Sequence, residues 1–274
     1  MCIITLQFEP TGSHPLILSA NRDEFFDRSS EIAHVWKKNS IIAGKDLQGG
    51  GTWLGTTFSG RFAAITNFPA YKATPSAQTV SRGTLVTEFL SGSLSPKEYA
   101  SVVSRDRAKY EGYNLIFGDR QSLFYITNAR PGEEELNSGV YSLSNSFLDR
   151  ACRRSINTAT KFNQIPKPNI TTDVLIRTMQ DSSELEDSNP VLQKTGCNQV
   201  GSAIPSAIFM KAISMKNKGT ASHYGTVSTT ALIIAKNGNI TFREDRYKED
   251  GRTKNRSLVK IENQSGTKIN LKRS

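Results

Sequence analysis

Five short apolar runs crowd into the first 67 residues: Cys2 to Phe8, His14 to Ala20, Ile41 to Gly44, Thr52 to Thr57 and Arg61 to Asn67. Each is bounded by Gly, Pro, Asn or Ser, a pattern that forces repeated chain reversal and leaves antiparallel β-structure as the simplest outcome. A helical pair follows, at Thr84 to Leu90 and after Ser95-Pro96-Lys97-Glu98. There Ser95 caps, Pro96 fits the first turn and Glu98 completes a capping box, with Tyr99, Val102 and Val103 as the buried face.

Further strands are expected at Tyr113 to Gly118, Leu123 to Thr127 and Gly139 to Leu143. Leu148, Cys152, Ile156, Ala159 and Phe162 then recur at helical spacing, which puts Cys152 in a helix core. Asp181 to Pro205, rich in Ser, Asn, Glu and Gly, reads as a long loop able to cover a site. Strands at Ala207 to Ile213, Thr226 to Ala235 and Asn239 to Glu244 close the pattern, the last two joined by a Lys236-Asn237-Gly238 turn. Strands, then helices, then strands imply sheets covered by helices, an α+β layered fold.

The chain has 274 residues, 36% hydrophobic and 22% charged, which suits one globular domain over residues 1–247. No run approaches the roughly 18 apolar residues of a membrane span, and Met1-Cys2-Ile3-Ile4 lacks the basic start of a secretory signal. The expected protein is soluble and cytoplasmic, and its three widely spaced cysteines, Cys2, Cys152 and Cys197, suit reduced thiols. About half of the +10 net charge lies from Arg243 to Ser274, so residues 248–274 read as a basic, solvated extension, with weak attraction to anionic membranes or an acidic partner as the functional alternative. No nucleic-acid-binding motif accompanies the charge.

Cys2 stands directly behind the initiator methionine, whose removal would expose it as the first residue. One residue would then supply a thiol and an α-amine of pKa about 7.7 to 8.0, able to serve as general base without a histidine. Asn21-Arg22-Asp23-Glu24 ends what should be a buried strand, with Asn21 and Asp23 pointing to one face and Arg22 and Glu24 to the other. Gln48-Gly49-Gly50-Gly51-Thr52-Trp53 suits either a glycine-rich hairpin or a close approach to a ligand walled by Trp53. Asn67 and Asn145 end predicted strands and are placed either to polarise a carbonyl or to satisfy turn backbone.

Met1-Cys2-Ile3-Ile4, Leu18 to Phe25, Gly50-Gly51-Thr52-Trp53-Leu54-Gly55, Ala64 to Asn67, Arg82-Gly83, Gly112-Tyr113-Asn114-Leu115, Tyr141 to Asn145 and Tyr224-Gly225-Thr226 together resemble the NRDE family, also called the transport and Golgi organisation protein two family. The resemblance implies a four-layer αββα sandwich like that of the N-terminal-nucleophile hydrolases. It also implies a role linked to haem trafficking, membrane organisation and mitochondria, with association to mitochondria or Golgi. A fainter resemblance to choloylglycine and penicillin V acylase hydrolases matches Cys2 to their nucleophile, Asp23 to the acid orienting the α-amine, and Asn67 and Asn145 to the oxyanion and amine-contacting asparagines. Two positions depart from those patterns: Ala20 stands where the hydrolases carry arginine, and Val227 where relatives commonly do.

Two functional expectations follow. The first is intracellular trafficking of haem or a similar amphipathic metabolite, with Cys2, His14, His34 or His223 as iron ligand and no cofactor otherwise required. The alternative is a cysteine hydrolase cleaving a non-peptide C–N bond, with Cys2, Asp23, Asn67 and Asn145 catalytic. In either case Asn21, Arg22, Glu24, Trp53 and Asn114 are the candidate ligand-binding residues.

Overall fold

The computed structural model describes residues 2–71, 80–148, 152–184, 207–217, 219–263 and 268–274. The chain opens with β1 (Cys2–Phe8) and β2 (Leu16–Phe25), whose register sets Cys2 opposite Arg22 and Phe8 opposite Leu16. A meander of β3 (Ser30–Trp36), β4 (Ile41–Asp46), β5 (Leu54–Thr57) and β6 (Phe62–Asn67) follows. After α1 (Gly83–Ser91) and α2 (Pro96–Arg105) come β7 (Tyr113–Gly118), β8 (Leu123–Thr127), β9 (Glu134–Leu136) and β10 (Gly139–Leu143). Next are α3 (Arg153–Asn163) and α4 (Thr172–Met179), then β11 (Ile213–Asn217), β12 (Thr220–Ile234), β13 (Ile240–Tyr247), β14 (Thr253–Glu262) and β15 (Lys268–Arg273).

Among these residues the strands form two antiparallel sheets. One runs β10-β1-β2-β12-β13-β14-β15 with β11 paired to β12, and the other runs β3 to β9 in chain order. Leu16, Leu18 and Ala20 of β2 point between the sheets to meet Leu54, Phe62 and Ala64 of the second sheet. Ile17 points the other way, onto Phe162 of α3 and Leu175 and Ile176 of α4. Meanwhile α1 and α2 cover the far side of the second sheet through Leu85, Phe89, Tyr99 and Val103. The layering is therefore αββα, as the sequence resemblance implied. Each large apolar side chain so buried contributes about 1.5–3 kcal/mol before entropy is counted.

Local chemistry sets several boundaries. Ser95 Oγ accepts the Glu98 N–H at 3.3 Å while Glu98 Oε2 accepts the Ser95 N–H at 2.8 Å, so the expected capping box opens α2. Its buried stripe is Pro96, Tyr99, Ala100 and Val103, whereas Val102, expected inside, is 43% exposed because it falls one step off that stripe. Gly238, at φ +86°, closes the turn between β12 and β13.

Other expectations are corrected. Cys152 is not in a helix core but is the N-cap of α3, its sulfur accepting the Ser155 N–H at 3.4 Å. Residues 207–212 are not a strand; β11 begins at Ile213. β2 continues through Asn21 to Phe25 rather than stopping at Ala20. The basic C-terminal stretch is no solvated tail: β14 turns Ser257, Val259 and Ile261 inward against the core and is itself flanked by β15. Of the loop expected over Asp181 to Pro205, residues 185–205 lie outside the described residues. No helix among the described residues is long and apolar enough to cross a membrane.

Candidate functional site

Strand pairing alone builds a row of side chains on the inner face of the first sheet. Cys2 lies opposite Arg22, Arg22 opposite Ser228, and Ser228 opposite Arg246, so these four residues share one face across β1, β2, β12 and β13. Directly opposite residues in antiparallel strands have Cβ atoms about 4.5–5.5 Å apart. A bulge between Thr226 and Ser228 pushes Val227 out of register and gives Arg22 a serine neighbour. Along β2 the inward positions read Leu16, Leu18, Ala20, Arg22: the apolar core ends where the polar row begins.

The outward positions of the same strand have other partners. Asn21 donates to the carbonyls of Met179 at 2.8 Å and Ile208 at 2.9 Å, and accepts from Thr229 Oγ1 at 2.7 Å. Asp23 pairs with Arg154 of α3, both side chains fully buried, and accepts from Thr226 Oγ1 at 2.7 Å. The alternation expected for Asn21-Arg22-Asp23-Glu24 is thus realised, with the first and third residues turned toward the helical layer.

Cys2 is half-buried at the mouth of a cleft of about 390 Å³ whose lining includes Arg22, Glu24, Trp53, Asn67 and Arg82. Its main-chain nitrogen donates to Asn145 Oδ1 at 3.0 Å, and Asn145 Nδ2 donates to the Asn67 carbonyl at 2.7 Å. Asn145 therefore straps the chain start to the end of β6. Burial pushes the Cys2 thiol above its ordinary pKa; the negative charge of Asp23 acts in the same direction, while the Asp23 N–H and Arg22 oppose it. Asn67 is exposed, and its side-chain amide makes no hydrogen bond among the described residues, which leaves it available to a carbonyl oxygen in the cleft.

Two expected ligand residues are placed elsewhere. Asn21 is fully buried behind the sheet, and Asn114 is fully buried within the second sheet. Asn114 donates to the Ser146 carbonyl at 3.0 Å and accepts from Tyr125 Oη at 2.9 Å, while Thr66 donates to the Ser144 carbonyl at 2.7 Å. These contacts hold the segment that presents Asn145, so Asn114 positions the site and does not line it. The glycine run is a hairpin between β4 and β5, and Gly51 packs against the backbone of Gly83, where a Cβ would come within 2.7 Å.

The expected histidine ligands do not gather at Cys2. His14 lies in the β1–β2 turn at the far end of the strand from Cys2, His34 sits on β3 beside Trp36, and His223 pairs with Glu249 at 3.0 Å. None lines the cleft. Sequence reasoning missed Arg154, the partner of Asp23, and Glu244, a buried carboxyl on β13 that accepts the Ala33 N–H at 2.6 Å. Burial holds Glu244 above the usual carboxylate range, against the pull of Ala33 N–H and Arg246.

A family model described as Transport and Golgi organisation 2 matches residues 1–249. The chain belongs to that family. A human Transport and Golgi organization protein 2 homolog is 31% identical, over 89% of this chain and 92% of the human one, and its mouse counterpart is 30% identical over the same shares. The Drosophila melanogaster Transport and Golgi organization protein 2 is 27% identical over 56% of each chain. Among solved structures, a mutant conjugated bile acid hydrolase from Clostridium perfringens aligns over 100% of this chain and 97% of its own, at 12% identity and a TM-score of 0.48. A Caenorhabditis elegans N-acylethanolamine-hydrolyzing acid amidase ortholog aligns over 85% and 92%, also at 12% identity and a TM-score of 0.48. As a member of the Transport and Golgi organisation 2 family, the chain carries β14 and β15 beyond the matched region.

Proposed function

We propose that this family member is an N-terminal-nucleophile cysteine hydrolase acting on a non-peptide amide. The observation that carries the reading is the 3.0 Å bond from the Cys2 nitrogen to Asn145 Oδ1 at the edge of the cleft. Once Met1 is removed, that nitrogen becomes an α-amine already oriented beside its own thiol. Cys2 Sγ attacks the amide carbonyl carbon and its proton passes to the α-amine, while Asn67 donates to the oxyanion. Collapse breaks the C–N bond, the α-ammonium protonates the departing amine, and a thioester on Cys2 remains. Water, deprotonated by the same α-amine, then releases the acid. Asp23 and Arg154 fix the strand end behind the nucleophile.

Intact-protein mass tests this directly. Protein lacking Met1, incubated with a panel of N-acyl amides, should gain an acyl mass that Cys2→Ala abolishes. Retention of Met1 on native protein, or neither adduct nor turnover with any amide, would defeat the reading.

Carriage of an amphipathic ligand such as haem is the second reading. It is supported by Trp53, Ile65 and Val80 in the wall of the same cleft and by a thiol able to ligate iron. Haem titrated at raised salt should then give a saturable Soret band that Cys2→Ala shifts; a band indifferent to Cys2 would rule out this ligation.

A further inference from the structure

Arg22 is the least satisfied charge in the site. Its side chain is only 10% exposed, yet among the described residues its one ionic neighbour is Glu24, at 3.7 Å and beyond hydrogen-bonding distance. It makes no hydrogen bond among those residues, whereas Arg154, the buried arginine behind the sheet, is bonded to both Asp23 and the Ile208 carbonyl. A guanidinium carries five donors, and leaving them unpaired in a nearly buried site is costly unless something else fills them.

The space around Arg22 supplies the other half of the argument. Arg22 and Arg28 line the Cys2 cleft and also a second cleft, of about 610 Å³, which adds Arg246, Lys248 and Lys254. That second cleft borders two carboxylates, but Glu249 is paired with His223 at 3.0 Å and Asp250 with Arg252 at 2.6 Å. Arg28 is already held by Asp46 at 2.7 Å and Arg246 donates to the Ser30 carbonyl at 2.7 Å. The buried free donors at the junction therefore belong to Arg22, with Arg246, Lys248 and Lys254 on one side, the Cys2 thiol and Glu24 on the other, and the buried Glu244 carboxyl, which burial holds above the usual carboxylate range, lining a narrow recess beside it.

We infer that Arg22 is an anion-binding residue, and that the amide taken at Cys2 carries a carboxylate or phosphate group. This rests on Cys2 being the reacting group of the cleft. With the carbonyl at Cys2, a head group a few ångström away meets the Arg22 fork, and the remainder of the ligand extends along the basic cleft toward Arg246 and Lys254. A planar fork of this kind binds either oxyanion in a bidentate manner. Neutral amides of the same length lack that contact.

The test is competitive alkylation of Cys2, read by the mass of its peptide so that other cysteines do not contribute. Full-length protein is treated with iodoacetate and, in parallel, with neutral iodoacetamide. In the parent the anionic reagent should be favoured relative to a free thiol, and Arg22→Gln should lower the iodoacetate rate about five- to tenfold more than the iodoacetamide rate, the scale of one charge contact at a half-buried site; iodoacetamide slows only as far as the thiol loses the pull of Arg22 on its proton. Arg22→Lys should restore part of the preference. If Arg22→Gln perturbs folding, Lys254→Gln at the exposed end of the cleft should still reduce it by a smaller factor.

Inorganic phosphate and acetate, added separately at raised salt, identify the head group. Saturable protection of Cys2 by either ion supports the site and names its preferred oxyanion; protection by neither overturns it, as does an equal loss of rate with both reagents in Arg22→Gln. Neither readout requires turnover. A protein that discriminates the reagents but cleaves no amide would therefore sink the hydrolase reading alone.

Discussion

Two faces of one strand end were given opposite work. Asn21 and Asp23, turned outward, are saturated by Met179, Ile208, Thr229, Thr226 and Arg154. Arg22 and Glu24, turned inward, approach each other only at 3.7 Å and line the cleft with Cys2. A motif of four adjacent polar residues is thus two devices: one clamps the strand to the helices, the other lines the Cys2 cleft with charge. Sequence adjacency does not imply a shared role where the side-chain period is two.

The contrast is sharpest in stability. Arg154→Leu should leave the Asp23 carboxylate buried and unpaired and cost about 3–5 kcal/mol, seen as a large fall in the urea midpoint. Asn21→Leu should cost about 1–3 kcal/mol, because two carbonyls and the Thr229 hydroxyl lose their partner. Arg22→Leu should shift the midpoint by less than about 1 kcal/mol while removing the reagent preference described above. A loss for Arg22→Leu as large as that for Arg154→Leu would erase the division between the faces.

A pH dependence refines the inner face. Glu244 is held above its ordinary pKa, so the folded state binds its proton more tightly than the unfolded chain does. Its contribution is complete below the unfolded value and is lost as pH rises through the folded value. Glu244→Gln should accordingly raise the thermal midpoint more at pH 8 than at pH 4. An equal gain at both would show that the carboxyl does not titrate differently on folding.

Much of this plan was legible in the sequence, for local reasons. The clipped β-runs, the Ser95 to Glu98 box and the glycine turn at Gly238 each depend on neighbouring residues only, and each is present. The split of Asn21 to Glu24 followed from the pleat. Arg154 was not legible, because it meets Asp23 across 131 positions and its helix was read for its apolar stripe alone. Cys152 was misplaced for a related reason: helical spacing cannot distinguish the first turn from the cap before it. The C-terminal strands were masked by charge. β15 buries no side chain and is held by main-chain pairing with β14, leaving little for composition to reveal.

β14 and β15 lie past the region shared with the family model, yet they are not an ornament. Without them β13 would become the rim of the sheet, with its row of N–H and C=O groups open and Phe242 missing Val259 beside it. An uncapped rim of that length is a template onto which another unfinished chain can zip. During synthesis, these two strands leave the ribosome after β1 to β13. Until they dock, the nascent protein has the residues of its Cys2 cleft in place and its border unsealed, so a shortened chain ending near residue 249 would be prone to clump before it could be assayed.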